Sequence, residues 1–245
     1  APVMVNGFYR KATENDEFVA SFSGLGYTYP DHYGLKEGQR REALLDEFYR
    51  RTNTYMEALD LSCVALCEWS FENEDNEERR RLINAYAKYD AIQGGILHYI
   101  YQEYALNPPR AGAVYWGGAK PFVNLRETLG IWAVEATVEN KMRRMAEIAC
   151  RVNHYRKDCT VIEGYSAINV HPWSFSYDDV VTLASLFDDD VVIVSPSELI
   201  SLISKNVKPV PVLSLDDPVD APEEEVQQYL KRLQDLPPLW TPLQY

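Results

Sequence analysis

Cysteine is scarce in this chain of 245 residues, which contains four, at Cys63, Cys67, Cys150 and Cys159. That number is too small for a disulfide-held scaffold, and no pair has the Cys-x-x-Cys spacing typical of zinc sites. If Cys63 and Cys67 lie on one strand, about 13 Å separates them, which excludes a disulfide between the two. The cysteines therefore leave the cellular compartment open.

Long apolar runs and an excess of positive charge are also missing. No stretch approaches the roughly 20 consecutive apolar residues that a membrane-spanning helix needs. Lys and Arg total 24 against 37 Asp and Glu, so the formal net charge is −13. Such a chain repels phosphates and anionic lipids, and we expect neither nucleic acid nor membrane as a partner. The start at Ala1, without an initiating Met or a basic leader, indicates a processed or excerpted chain.

Motifs for metals, nucleotides and covalent catalysis are absent as well. The four histidines show no His-x-x-x-His or His-x-x-Glu-His spacing, and the acidic clusters lack the alternating ligands of a calcium loop. No Gly-x-Ser-x-Gly elbow, phosphate-binding loop or dinucleotide fingerprint occurs. We therefore expect no metal and no cofactor.

Strand-like apolar runs alternate with helical patterns through most of the chain. This order predicts an α/β fold with mainly parallel strands, since parallel strands need crossover connections. The length suits one α/β barrel of about 250 residues or two smaller domains. The predicted strands are Phe18 to Ser23, Cys63 to Cys67, Ile96 to Tyr101, Ala113 to Trp116, Pro121 to Leu125, Ala167 to Val170 and Val191 to Val194.

Amphipathic helices are predicted between these runs. The first, from Gln39 to Leu59, places Leu44, Phe48, Tyr55 and Met56 near one face. Further helices are predicted after Asn76, from Thr137 to Val152, from Ser176 to Phe187, from Ser197 or Pro196 to Asn206 and from Pro222 to Leu233. Ser176-x-x-Asp179 is an acidic variant of a capping box, and Val207 to Asp220 has the composition of a linker.

Polar and aromatic residues follow four of the predicted strands, in Gly24 to Pro30, Glu68-Trp69, Arg126-Glu127 and His171-Pro172-Trp173. Functional groups of parallel barrels gather where strands end. Aromatic rings cover the C–H faces of sugars, whereas carboxylate, imidazole and guanidinium groups bind their hydroxyls. If the four segments share one rim, they predict a carbohydrate site. Alternatively, the rings fill the core and leave only their polar ends at the rim.

Glycosidic cleavage needs two carboxyl groups on either side of the bond, which Glu68, Glu103, Glu127 and Glu163 could supply. Our candidates are Glu68, Glu127 and His171 for catalysis, and Tyr27, Tyr29, Trp69, Arg126 and Trp173 for substrate binding, with Gly24, Gly26 and Pro30 shaping the loop. Each of these residues can also be explained as a core, paired or solvated residue.

The stretch Ala12 to Ala20 followed by Ser23 to Pro30 resembles the C-terminal domain of the Gly-x-Gly-Tyr-x-Tyr-Pro family, described as putative glycoside hydrolases. Three other stretches are similar to that family, Gly94 to Tyr104, Gly117 to Pro121 and Asn169 to Ser174 with the following Tyr177 to Val180. The resemblance covers roughly Ala12 to Val207.

This resemblance implies a secreted, extracellular, carbohydrate-processing domain that binds a glycan at the C-terminal rim of its strands. It implies an incomplete or distorted (β/α) barrel, similar to glycoside hydrolase and polysaccharide deacetylase barrels. We expect this domain over 1–206, and the composition and periodicity of 207–245 predict a linker, a helix and a tail there. The acidic Asp-Gly-Asp-Asn motif expected upstream in the family does not occur here. Either an upstream segment or a second polypeptide completes the barrel, or the chain is a non-enzymatic extracellular carbohydrate-binding or assembly protein with a degenerate barrel.

Overall fold

The computed structural model describes residues 2–14, 16–30, 32–68, 77–99, 111–130, 137–210 and 219–236. These residues form a mixed α/β structure. The helices are α1 Pro2–Lys11, α2 Arg41–Ala58, α3 Glu77–Ala87, α4 Val138–His154, α5 Tyr177–Ala184, α6 Pro196–Asn206 and α7 Glu223–Gln234. The strands are β1 Cys63–Glu68, β2 Gly94–Tyr99, β3 Val114–Gly117, β4 Lys120–Asn124, β5 Glu127–Leu129 and β6 Ile168–Val170.

The strands form two sheets. The larger, mainly parallel sheet has the order β1-β2-β4-β3, and the smaller pairs β5 with β6 in parallel. β3 and β4 are joined by the two residues 118–119, a connection so short that the pair must be an antiparallel hairpin. The prediction of mainly parallel strands is confirmed. Within the described residues the strands do not close into a barrel.

Most predicted strands are present with small shifts in their ends. Phe18 to Ser23 contributes only one parallel bridge, from Ala20 to Val64. The predicted strand Val191 to Val194 is wrong, because this run pairs with no described strand and leaves Val192 and Ile193 exposed to solvent. β5 was not predicted, since Glu-Thr-Leu is too short to show an alternating pattern.

The chain divides into two compact units. The first unit comprises Ala1–Leu97, Tyr115–Phe122 and Ile193–Lys205, and the second comprises His98–Val114, Val123–Val192 and Asn206–Tyr245. No described helix has the length and apolar composition needed to cross a membrane.

The core of the first unit is built by β1, α2 and α3. Aromatic edges interlock there, with the rings of Phe48 and Tyr49 5.8 Å apart and those of Tyr49 and Tyr86 4.8 Å apart. The buried stripe of α2 comprises Leu45, Phe48, Tyr49, Thr52 and Met56. The buried face of α2 is therefore rotated about the helix axis relative to the predicted one, because Leu44 and Tyr55 are exposed.

The core of the second unit surrounds α4, whose Thr137 N-cap accepts a hydrogen bond from Asn140 N–H at 3.1 Å. Apolar side chains from β5, α4, α5 and α7 form one cluster, which includes Leu129, Met145, Ile148, Ala149, Leu183, Val226 and Leu233. Lys141 of α4 and Asp179 of α5 form a fully buried ion pair at 2.6 Å. The predicted capping box of Ser176 and Asp179 is confirmed at the start of α5. The predicted last helix is α7, and much of the predicted linker lies outside the described residues.

The loop that carries the Gly-x-Gly-Tyr-x-Tyr-Pro motif depends on unusual backbone angles. φ is 63° at Ser23, 105° at Gly24 and 140° at Gly26, a region that residues with a Cβ rarely adopt. A Cβ at Gly24 would stand 2.9 Å from Thr52 Cβ and closer still to its Oγ1 and Cγ2, whereas a Cβ at Gly26 would meet no atom within 4 Å. Gly24 is therefore required for packing as well as for conformation.

We predict that Gly24→Ala lowers the free energy of unfolding by about 1–3 kcal/mol more than Gly26→Ala, because only the first adds overpacking to backbone strain. Urea unfolding of the two variants, followed by circular dichroism, measures the difference. Equal losses would contradict a close approach of the loop to Thr52.

Candidate functional site

The motif loop presents aromatic rings in the first unit. The Tyr27 side chain is 63% exposed, and its ring meets those of Phe22 at 5.5 Å and Tyr29 at 5.9 Å, both edge to face. Pro30 is buried, which anchors the far end of the loop. The two predicted sugar-binding tyrosines are thus adjacent, with the ring of Tyr27 open to solvent.

The loop lies beside the carboxyl end of β1. The Cys67 N–H donates to Ser23 Oγ at 3.2 Å, and the Tyr86 hydroxyl donates to the Ser23 carbonyl at 2.7 Å. β1 ends one residue later, at Glu68. The backbone therefore places the motif loop and the predicted catalytic Glu68 at the same edge of the sheet. Trp69 and the Glu68 side chain lie outside the described part of the chain.

Glu127 begins β5 and is the centre of a buried hydrogen-bonded cluster in the second unit. Its carboxylate accepts from Arg151 Nε at 2.6 Å and Nη2 at 2.7 Å, and it also accepts from the Tyr155 hydroxyl. Arg144 Nη2 lies 4.0 Å from the same carboxylate. Burial, followed by the charge of Glu127, raises the pKa of Tyr155. A carboxylate with both oxygens held this way is suited to positioning, whereas proton transfer needs an oxygen open to substrate.

Arg126 is also engaged by the protein. Its guanidinium stacks on the Tyr155 ring at 3.4 Å and donates to the carbonyls of Glu163 at 2.7 Å and Tyr165 at 3.1 Å. Burial lowers the pKa of Arg126. These contacts fix the 3₁₀ turn Ile162–Gly164 against the start of β5, which favours a structural role for Arg126.

His171 lies at the opposite end of the same sheet, directly after β6. Its N–H continues the ladder by donating to the Leu129 carbonyl at 2.9 Å, and its Nδ1 lies 2.8 Å from Ser174 Oγ. Burial lowers the pKa of His171, which favours the neutral form of its imidazole. The Trp173 ring stands edge-on to it at 5.6 Å and is 72% exposed, and Tyr177 is 81% exposed. An imidazole and two open aromatic rings thus occur within seven residues.

The expectation that Arg126-Glu127 and His171 leave one rim is wrong. In the register of the parallel pair, Glu127 lies opposite Ile168 and Leu129 opposite Val170, so Glu127 is at the start of the strands and His171 beyond their end. The strand length separates them by about 10 Å. The prediction assumed that Arg126 and Glu127 lie in a loop at the carboxyl end of β4. Instead, Glu127 is the first residue of β5.

Several site residues could not be selected from the sequence. Glu127 is contacted by Arg144 and Arg151 of α4 and by Tyr155, which directly follows that helix. The only sequence pattern that indicated these contacts was the seven-residue spacing of the two arginines, which places them on one face of a helix. A second cluster contains Cys150, His154 and Glu225, whose candidate ligand atoms all lie within 4.8 Å of one another. Cys150 and His154 are four residues apart on α4, a spacing that indicates proximity once the helix is known. The third member comes from α7 and had no sequence signal.

Comparisons with known proteins give one family and one solved structure. Residues 1–204 match the family model described as the GxGYxYP putative glycoside hydrolase C-terminal domain. The fold is similar to the crystal structure of a putative hydrolase from Bacteroides thetaiotaomicron, with a TM-score of 0.69 and 18% identity over 86% of this chain and 37% of that chain. At this identity the likeness shows the fold, and this chain spans about 37% of the length of that protein. No curated protein matches the chain.

We predict that Glu127→Gln lowers the free energy of unfolding by about 3–5 kcal/mol, because it removes the buried carboxylate and leaves the partly buried Arg151 without its counter-charge. Urea or thermal unfolding measures this loss. Glu47→Gln is the matched control, since Glu47 pairs with Arg50 and Arg51 on the exposed face of α2 and its removal should change little. A Glu127→Gln protein of unchanged stability would contradict the structural role.

Proposed function

This chain belongs to the GxGYxYP family of putative glycoside hydrolase C-terminal domains, and we propose that it is the glycan-binding part of a carbohydrate-processing hydrolase. The observation that carries the proposal is the pair of exposed rings, Trp173 and Tyr177, beside His171 at the carboxyl end of β6.

The chemistry of this surface suits a pyranose. When the C–H face of a sugar covers exposed indole and phenol rings, the apolar surface of the rings is removed from water, which favours binding. Nδ1 of His171 contacts Ser174 Oγ, so we propose that Nε2 is the imidazole nitrogen that forms a hydrogen bond with a sugar hydroxyl. Tyr27 and Tyr29 of the motif loop remain predicted sugar contacts in the first unit.

The proposed reaction is cleavage of a glycosidic bond, which requires two carboxyl groups. Glu68 is our candidate for one of them, because β1 ends there beside the motif loop. Glu127 is less suited, since Arg151 and Tyr155 bind its oxygens. We propose that the second carboxylate, and the strands that would complete an incomplete barrel, come from an upstream segment or a second polypeptide. The length of the structural relative supports this, since the chain covers 37% of it.

An extracellular location is part of the proposal. A hydrolase of polymeric glycans has to meet a substrate that is too large to enter a cell. We propose neither nucleic acid nor a membrane as a partner, because the net charge of −13 repels phosphates and anionic lipids.

We predict that Trp173→Ala weakens oligosaccharide binding about tenfold or more, equal to about 1.4 kcal/mol, because the stacking ring is lost. A glycan array followed by calorimetry with the best ligand measures the affinity. Tyr55→Ala is the control, since Tyr55 is an exposed ring on α2, outside the proposed surface. The proposal fails if the protein binds no glycan on the array, or if Trp173→Ala binds as tightly as the unmodified chain.

Docking of a polypeptide is the second candidate function. Val181, one turn after Tyr177 on α5, and Val192 are exposed aliphatic side chains that suit a protein surface better than a sugar. For this function we expect Val181→Asp to abolish self-association or co-purification of a partner chain, measured by analytical ultracentrifugation and intact mass. Unchanged assembly in Val181→Asp, together with glycan binding that needs Trp173, would reject it.

A further inference from the structure

We propose that Cys150, His154 and Glu225 bind a divalent transition-metal ion of the zinc type. Cys150 and His154 lie one turn apart on α4, and Glu225 lies in the first turn of α7. The Cys150 Sγ is 3.8 Å from Glu225 Oε2, and His154 Nε2 is 3.2 Å from the same oxygen. Three donor atoms of three chemical kinds therefore meet at one point between two helices.

The separations fit a tetrahedral metal ion. Zinc binds sulfur at about 2.3 Å and nitrogen or oxygen at about 2.0–2.2 Å, which puts neighbouring ligand atoms about 3.4–3.7 Å apart. The two distances to Glu225 Oε2 bracket this range, and one candidate ligand atom from each residue lies within 4.8 Å of the other two. Small side-chain rotations are enough to close the site on an ion.

The second nitrogen of His154 supports the same conclusion. His154 Nδ1 lies 2.7 Å from the Cys150 carbonyl oxygen, which can only accept, so Nδ1 carries a proton. This bond fixes the ring and directs Nε2 towards Glu225, the arrangement by which metal-binding histidines are oriented. With Nδ1 protonated, Nε2 and the carboxylate oxygen both offer lone pairs unless a second proton or a cation lies between them.

The ligand set selects the class of ion. A thiolate and an imidazole favour zinc and its transition-metal neighbours, whereas calcium and magnesium prefer oxygen ligands throughout. Cys150 is buried, His154 is exposed and Glu225 is partly exposed, so the ion has a route from solvent and a fourth position for water. Binding displaces the thiol proton of Cys150.

The ion would join α7 to α4. These helices pack against each other along the second unit, and Val226, next to Glu225, belongs to its buried cluster. An ion that binds the folded state and not the unfolded chain raises the unfolding temperature. The proposed site would therefore hold α7, the last described helix, against α4.

Cobalt and zinc titrations of the chelator-treated protein test this inference. We expect one cobalt ion per chain, with a thiolate-to-cobalt charge-transfer absorption, and a rise in the unfolding temperature with zinc. Cys150→Ser should lose the absorption, and His154→Gln, at an exposed position, should weaken zinc binding at least about tenfold. Cys159→Ser is the matched control, since Cys159 is exposed and outside the cluster, and it should keep both properties.

Three results would overturn the inference. The first is a protein that binds no cobalt or zinc in a one-to-one ratio. The second is an absorption that persists in Cys150→Ser or disappears in Cys159→Ser. The third is a zinc affinity unchanged in His154→Gln, which would show that His154 is not a ligand.

Discussion

The buried ion pair between Lys141 and Asp179 fixes the segment on which the proposed glycan surface depends. Both side chains are fully buried, and Asp179 also accepts from Ser176 N–H at 2.7 Å, which starts α5. The Lys141 ammonium lies 5.1 Å from the centre of the Phe175 ring, next to the turn that follows β6. Removing two charges from water costs several kcal/mol for each ion, so the pair is more a device for specificity than for stability. If α5 shifted along α4, one of the two charges would be left unpaired among apolar side chains. The ion pair therefore also helps to fix the positions of His171, Trp173 and Tyr177.

α4 extends the same principle to its other neighbours. Lys141 near its start connects to α5, Arg144 and Arg151 connect to the start of β5, and His154 at its end contacts Glu225 of α7. An amphipathic helix that buries only apolar side chains specifies weakly how its neighbours are aligned along it. Here polar groups occupy fixed positions along the helix, and each of them contacts specific residues on a neighbouring element. Polar contacts, buried at the start of α4 and exposed at its end, therefore help to align the elements of the second unit around this helix.

Local patterns predicted the parts of this structure that local physics controls. The capping box at Ser176, the strand from Cys63 and the last helix could be read because their signals lie within a few residues. The rotation of α2 could not, since Leu44 and Leu45 are equally apolar and only the surrounding core decides which one is buried. The same limit applies to Lys141, because a lysine enters a core only when a distant residue such as Asp179 is there to receive it. Val191 to Val194 failed for the opposite reason, as a strand pattern needs a neighbouring strand to pair with.

Cys159 has a practical consequence of a different kind. Three of the four thiols are buried, whereas Cys159 is exposed in a turn whose backbone is fixed by the Tyr165 hydroxyl at 2.8 Å from its carbonyl. A maleimide dye or a nitroxide would thus attach at one defined position of the native sequence. Fluorescence anisotropy or paramagnetic broadening could then follow the chain while it meets a saccharide, with no engineered residue.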